Sequence, residues 1–235
     1  MNLTALTSEV QTAIGNTNTT IASNITTWLN WSVLQMARLY DWADLVSLNT
    51  ASYTTTTGTA TVSLATTVKK IYDVRYVDTT DDSNCSQLIY RPTIVADSRT
   101  PYPPGDAQGV PYYYWVLGKT IYLYPIPDAS KSLYITLHSW PTAMSAGTSS
   151  PSITNADDAI VAGAIARAYK SLPQLDGADL IKVWDAEFAN LTIQANFMDQ
   201  KLNGWRPRLQ PFNALGGNSS LDPTANPFNT RGNYA

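Results

Sequence analysis

One run constrains the fold of this chain more than any other: Gly109 to Leu137, GVPYYYWVLGKTIYLYPIPDASKSLYITL. Tyr112 to Leu117 is aromatic and β-branched, Gly118 and Lys119 form a short turn, and Thr120 to Tyr124 alternates. Ile121 and Leu123 fall on one face of that second segment and Tyr122 and Tyr124 on the other. Pro125, Pro127 and Asp128 close it, because proline has no N–H to give to a ladder, and Leu133, Ile135 and Leu137 resume a period of two. The pattern predicts a three-stranded antiparallel meander.

The sequence before and after this run changes period. Leu6, Val10 and Ile14 recur at helical spacing, and Gly15 is placed to end a first helix. Thr20 can cap a second, whose broad apolar face includes Ile21, Ile25, Trp28, Leu29, Val33, Met36 and Tyr40 and runs on to Trp42 and Leu45. No charged residue lies between Glu9 and Arg38, so the outer face of this helix suits a neighbour as well as a core. Asn49 to Gly58 reads as an irregular or extended connection. Thr59 to Leu64 and Lys70 to Val77 alternate like paired strands, and Asp78 to Asn84 is a turn cluster. Gln87 to Arg91 reads as a short strand, and Pro92 to Gly109 as a long proline-rich loop.

Beyond the meander, Asn155, Asp157 and Asp158 mark a helix start. This third helix is rich in alanine, with Gly163 among the small residues, and should stop near Leu172 before Pro173. From Asp176 to Asn203 the positions Ile181, Trp184, Phe188, Leu191, Ala195, Met198 and Leu202 form a heptad-like stripe, predicting the longest helix, with Gly204 beyond it. The expected class is therefore α+β: a bundle of about four helices, a β-rich meander inserted between helices 2 and 3, and an extended C-terminal arm. In residue terms the helices occupy 1–48 and 155–204, the insertion 59–140, and the arm 205–235, with 1–204 forming one domain.

At 235 residues the chain can bury roughly 70% of its unfolded surface. Only 14% of its residues are charged, against about 25% in ordinary soluble domains, with Thr, Asn and Ser in their place. Such a surface suits extensive protein contact. A net charge of -3 without a basic run argues against sequence-specific nucleic-acid binding. The lone Cys85 allows no intramolecular disulfide, and no stretch shows an export signal or the roughly 20 apolar residues of a membrane span.

No catalytic residue, cofactor site or metal site is legible. His138 is the only histidine, expected on the outer face of the third strand as a surface or half-buried structural residue, with no activated Ser or Cys beside it. Asp81-Asp82 and Asp157-Asp158 read as a turn and a helix cap rather than as metal ligands. Neither a GxGxxG nor a GxxxxGK[ST] loop occurs. The seven Trp and 14 Tyr read first as core and interface anchors; stacking on sugars, in a secreted carbohydrate-binding or hydrolytic protein, is the rival reading.

Taken in order, these residues resemble the head-to-tail adaptor, or connector, proteins of tailed bacteriophages. The resemblance rests on Trp28-Leu29-Asn30 followed by Trp42, and on a β segment of form GxPxxYxxxGxxIxLxPxP. That segment is Gly109, Pro111, Tyr114, Gly118, Ile121, Leu123, Pro125 and Pro127. An alanine-rich helix and a long final helix complete the match over Ile21 to Asn203. The resemblance implies a non-enzymatic virion protein of the phage neck, made in the bacterial host cytoplasm. It implies a dodecameric ring that docks on the portal protein and joins it to a downstream tail or nozzle protein. Duplex DNA would pass through the lumen non-specifically, and no membrane is involved. Another tail or capsid-surface binding module is the alternative within the virion.

Residues 205–235 match no part of that pattern. They carry anchors at Trp205, Leu209, Phe212 and Phe228, with Arg206 and Arg208 among them, in a composition that cannot bury enough surface to order itself. These six are the residue types of interface hot spots, so the segment is expected to be a docking arm.

Overall fold

A computed structural model describes residues 1–15, 19–77, 85–92, 107–171 and 178–203. Among the described residues, four helices and ten strands make an α+β fold in which these strands fall between the second and third of those helices.

Helix α1 spans Leu3–Ile14; Asn2 Oδ1 accepts from Ala5 N–H at its start, and Gly15, with φ of 65°, closes it as expected. Helix α2 spans Thr19–Leu39, so Thr20 lies in its first turn rather than before it. Helix α3 spans Asp157–Ser171 and α4 spans Ala178–Asn203. Pro173 and the Asp176 start lie outside the described residues. Helix α3 is buried nearly all round, and Gly163 shows why its residues are small. A Cβ there would come within 2.7 Å of Ser32 Oγ and 2.8 Å of the Phe188 ring. Glycine thus lets α2, α3 and α4 meet around one centre, to which α1 adds Leu6 and Val10.

The helical stretch expected over 1–48 ends sooner. After α2 a short 3-10 turn, Ala43–Leu45, leads directly into strand β1, Val46–Thr54. The stretch read as an irregular connection is thus largely strand, because β10, Ser132–Ser139, supplies antiparallel partners from Val46↔His138 to Thr54↔Ser132. Two register shifts interrupt the ladder and blur the alternation that would have revealed it.

The remaining strands are β2 (Thr61–Ser63), β3 (Val68–Val77), β4 (Cys85–Gln87), β5 (Ile89–Tyr90), β6 (Gln108–Gly109), β7 (Tyr113–Leu117), β8 (Thr120–Tyr124) and β9 (Ile126–Pro127). They form two four-stranded sheets, β1-β10-β3-β4 and β2-β8-β7-β5, and a two-stranded β6-β9 ribbon. Two expectations are corrected here. The meander keeps its β7–β8 hairpin, but its third strand, β10, joins the opposite sheet. Pro125 and Pro127 have no N–H with which to continue the β8 ladder toward β10, and the chain crosses over through the short β9, which pairs with β6 instead. Strands β2 and β3 likewise do not pair with each other; each sheet takes one. The β5–β7 and β6–β9 pairs are parallel rather than antiparallel.

Both sheets turn one face inward onto a shared apolar core that includes Val74, Tyr76, Ile121, Leu123, Leu133 and Ile135. A separate core fills the helical part. The turn cluster Asp78 to Asn84 and most of the long loop Pro92 to Gly109 lie outside the described residues.

Candidate assembly surfaces

The strand motif builds the fold from the inside. Tyr114 faces Leu123 across the hairpin and Ile121 lies opposite Val116, all on the core side, while Gly118 makes the turn at φ of 61°. Gly109 pairs with Pro127 in the β6–β9 ribbon, Pro111 and Pro127 are buried, and Pro125 packs beside Gly109. Gly58 N–H donates to the Pro127 carbonyl at 2.9 Å, so the ribbon also anchors the chain before β2. The eight motif residues are thus brought together as a structural unit. Burial first, then Asp73 and Tyr90, pushes the Tyr114 hydroxyl far above its ordinary range, so it stays a neutral phenol.

Trp28-Leu29-Asn30 has the same character. Trp28 and Leu29 are core residues, and the Asn30 carboxamide donates to Met144 O at 2.9 Å and accepts from Met144 N at 2.8 Å. That pair pins the loop after the β-rich region onto α2. Trp42 is fully buried and donates from Nε1 to Met36 O.

His138 is the main correction among the candidate residues. It has no exposed surface, because the face of β10 turned away from the β core is covered where the end of α2 meets the strands. Lys69 holds that junction by donating to Ala37 O at 2.6 Å, Tyr40 O at 3.2 Å and Asp41 Oδ1 at 2.8 Å, so a strand lysine caps a helix C-terminus. Lys70 takes the other Asp41 oxygen at 2.9 Å. Burial pushes the Asp41 carboxyl up, but the hydrogen bonds and charges of the two lysines outweigh it and hold it at about 2. Among the described residues neither His138 ring nitrogen makes a hydrogen bond of good geometry, the Trp42 backbone giving only a weak polar contact, and Tyr72 meets the ring edge-on at 6.5 Å. Burial lowers the His138 pKa, as do the Lys69 and Lys70 charges; Asp41 and the Trp42 backbone pull the other way. The imidazole is therefore held neutral inside a wall.

Apart from Met1 and Leu39, the exposed large apolar side chains among the described residues lie on the β part and on α4. On the β side they are Ile89, Tyr90, Val110, Tyr112 and Leu117, beside a layer in which Trp115 stacks on Tyr122 at 5.4 Å and Arg91 lies 3.5 Å over Tyr113. On the helical side they lie along α4. Its expected stripe packs inward at Trp184, Phe188, Leu191 and Ala195, but Met198 points to solvent and Asp199 is buried in its stead. A straight helix of 3.6 residues per turn drifts off a strict 3.5 repeat, which moves the inner line from a step of three to a step of four. Asp199 Oδ2 then accepts from Ala43 N–H at 3.0 Å, fastening α4 to the turn before β1.

The SU10 adaptor protein family matches residues 1–210, which takes in every described element. The chain belongs to that family. It is a phage adaptor family, so this adaptor is a structural component of the virion that associates with other virion proteins, and the family implies a non-enzymatic role. A comparison with curated proteins finds no match. Among the described residues of the adaptor, no helix is long and apolar enough to cross a membrane. Trp205, Arg206, Arg208 and Leu209 fall within the family match, whereas Phe212 and Phe228 fall beyond it; all six lie outside the described residues.

Proposed function

We propose that the adaptor forms a dodecameric ring in the phage neck, docks on the portal protein and links it to a downstream tail or nozzle protein, with duplex DNA passing through the lumen. The family match over residues 1–210 carries this reading. Apolar surfaces on both the helical and the β side support it, since a subunit clamped between neighbours needs more than one contact face. Residues 1–204 act as the ring-forming domain, and 205–235 as an arm that locks each subunit to the portal or to a neighbour. The lumen is neutral to acidic, in keeping with the net charge of -3, so DNA slides without being held.

Mass photometry of the purified chain, alone and with portal protein, tests the reading. A portal-dependent complex containing a ring of the chain supports it, whereas a free trimer that ignores portal contradicts it. Tight, salt-sensitive duplex binding by the isolated chain would contradict the neutral lumen.

A further inference from the structure

We propose that the C-terminal half of α4, residues 191–203, is a lever that undocks from the rest of the fold, with the contact between Asp199 and Ala43 as its latch. The reason is the way this half faces. Of the α4 side chains described, three are buried, and all three are polar: Thr192, Asn196 and Asp199. The large apolar side chains of the same turns point the other way, with Ile193 54% exposed, Phe197 65% and Met198 51%. A helix docked for good does the reverse, because burial of its apolar face is what holds it.

The two halves of α4 are held differently. In the first half Phe188 lies so close to Gly163 that a Cβ there would come within 2.8 Å of its ring, and that ring is 6.4 Å from the ring of Trp31. Lys170 Nζ adds a hydrogen bond to Asp185 Oδ1 at 2.7 Å. These contacts make a pivot. Beyond them, Leu191 and Ala195 are only half-buried, while Thr192 Oγ1 and Asn196 Oδ1 are enclosed without a hydrogen-bond partner among the described residues. An enclosed polar oxygen without a partner has given up its water, so lifting this half off the body restores hydration instead of forfeiting apolar burial. Asp199 acts in the opposite sense. Its Oδ2 accepts from Ala43 N–H at 3.0 Å and ties the last turns of α4 to the 3-10 turn before β1.

Release of this half leaves the body of the fold in place. The buried helical core draws its residues from α1, α2, α3 and the segments joining them to the strands, and α4 only packs against it from outside. Opening of such a peripheral unit takes less free energy than global unfolding, so the docked and released forms coexist in one folded chain. Ala43 is the reporter for that opening. It lies 156 residues before Asp199 and outside α4, so its amide senses the docking of the lever and not the fraying of a helix end.

Hydrogen exchange of the full-length chain, followed amide by amide by NMR, tests the lever. The Ala43 amide and those of residues 193–199 should exchange through a common opening, at least about tenfold faster than amides at the centre of α3. Asp199→Ala should speed exchange across 193–199 and leave α1 and α3 unchanged. Thr192→Val combined with Asn196→Leu places apolar groups of similar shape at the enclosed positions; it should slow exchange at Ala43 about tenfold and raise the melting temperature. An Ala43 amide as protected as those of α3 would overturn the proposal, as would an Asp199→Ala chain whose 193–199 amides exchange like the parent's. An apolar double variant that melts lower than the parent, or leaves Ala43 exchange unchanged, would overturn it too. None of these readouts depends on a ring or on portal protein.

Discussion

His138 shows how burial can make a residue matter without making it chemical. Its folded pKa lies below the ordinary 6.5, so above that value the unfolded chain is neutral too and nothing is lost. Below 6.5 the unfolded state gains a proton that the folded state resists, and stability falls as pH falls. Asp41, held at about 2 against 3.8, adds a second loss that begins only below about pH 4. Thermal melts across this range should therefore show a decline starting near pH 6.5, and His138→Leu should flatten that first part while leaving the acid limb. A parent curve flat from pH 7 to 5 would contradict the account. Asn30→Ala should cost about 1–3 kcal/mol, because both backbone groups of Met144 lose their partner. Gly163→Val should cost at least as much, since its side chain would enter space held by Ser32 and Phe188. Urea titration measures both; a change within about 0.5 kcal/mol for either would show that α2 or α3 has room to yield.

The elements differ in how openly the sequence declares them, and the reason is local. Helices α1 and α2, the β7–β8 hairpin and the long α4 follow from unbroken periods and from turn glycines at Gly15 and Gly118. Strand β1 was hidden because its register shifts break the alternation and its partner lies far along the chain at β10. The fate of β10 was equally hidden, since Leu133, Ile135 and Leu137 show that one face is apolar but not which sheet receives it. His138 looked solvent-facing for a related reason: alternation separates two faces without saying that helix α2 ends over the second one. Of the candidate surfaces, the strand motif is legible as a pattern and places Tyr114, Ile121 and Leu123 in the core, while the exposed apolar residues of α4 are masked by the inward stripe interleaved with them. Gly118→Val should lower hairpin stability by about 1–2 kcal/mol, because a β-branched residue resists φ of 61°. An unchanged melting temperature would mean the turn relaxes to another form.

For the whole molecule, a bundle and a β unit with separate cores meet at a polar junction that includes Lys69, Asp41 and the end of α2. The exposed apolar residues of α4 and the aromatic β face both belong to this chain, which suits the proposed subunit held between neighbours. If residues 205–235 are the arm, truncation after Gly204 should leave a helical chain with near-native melting that no longer co-purifies with portal-bearing heads. Unfolding of the truncated chain would instead assign those residues to the core. The most direct measurement of the central claim is the mass of the complex formed when the purified full-length chain is added to portal protein. A dodecamer of the adaptor on each portal ring is the predicted result; no association, or a stoichiometry unrelated to the portal ring, would contradict it.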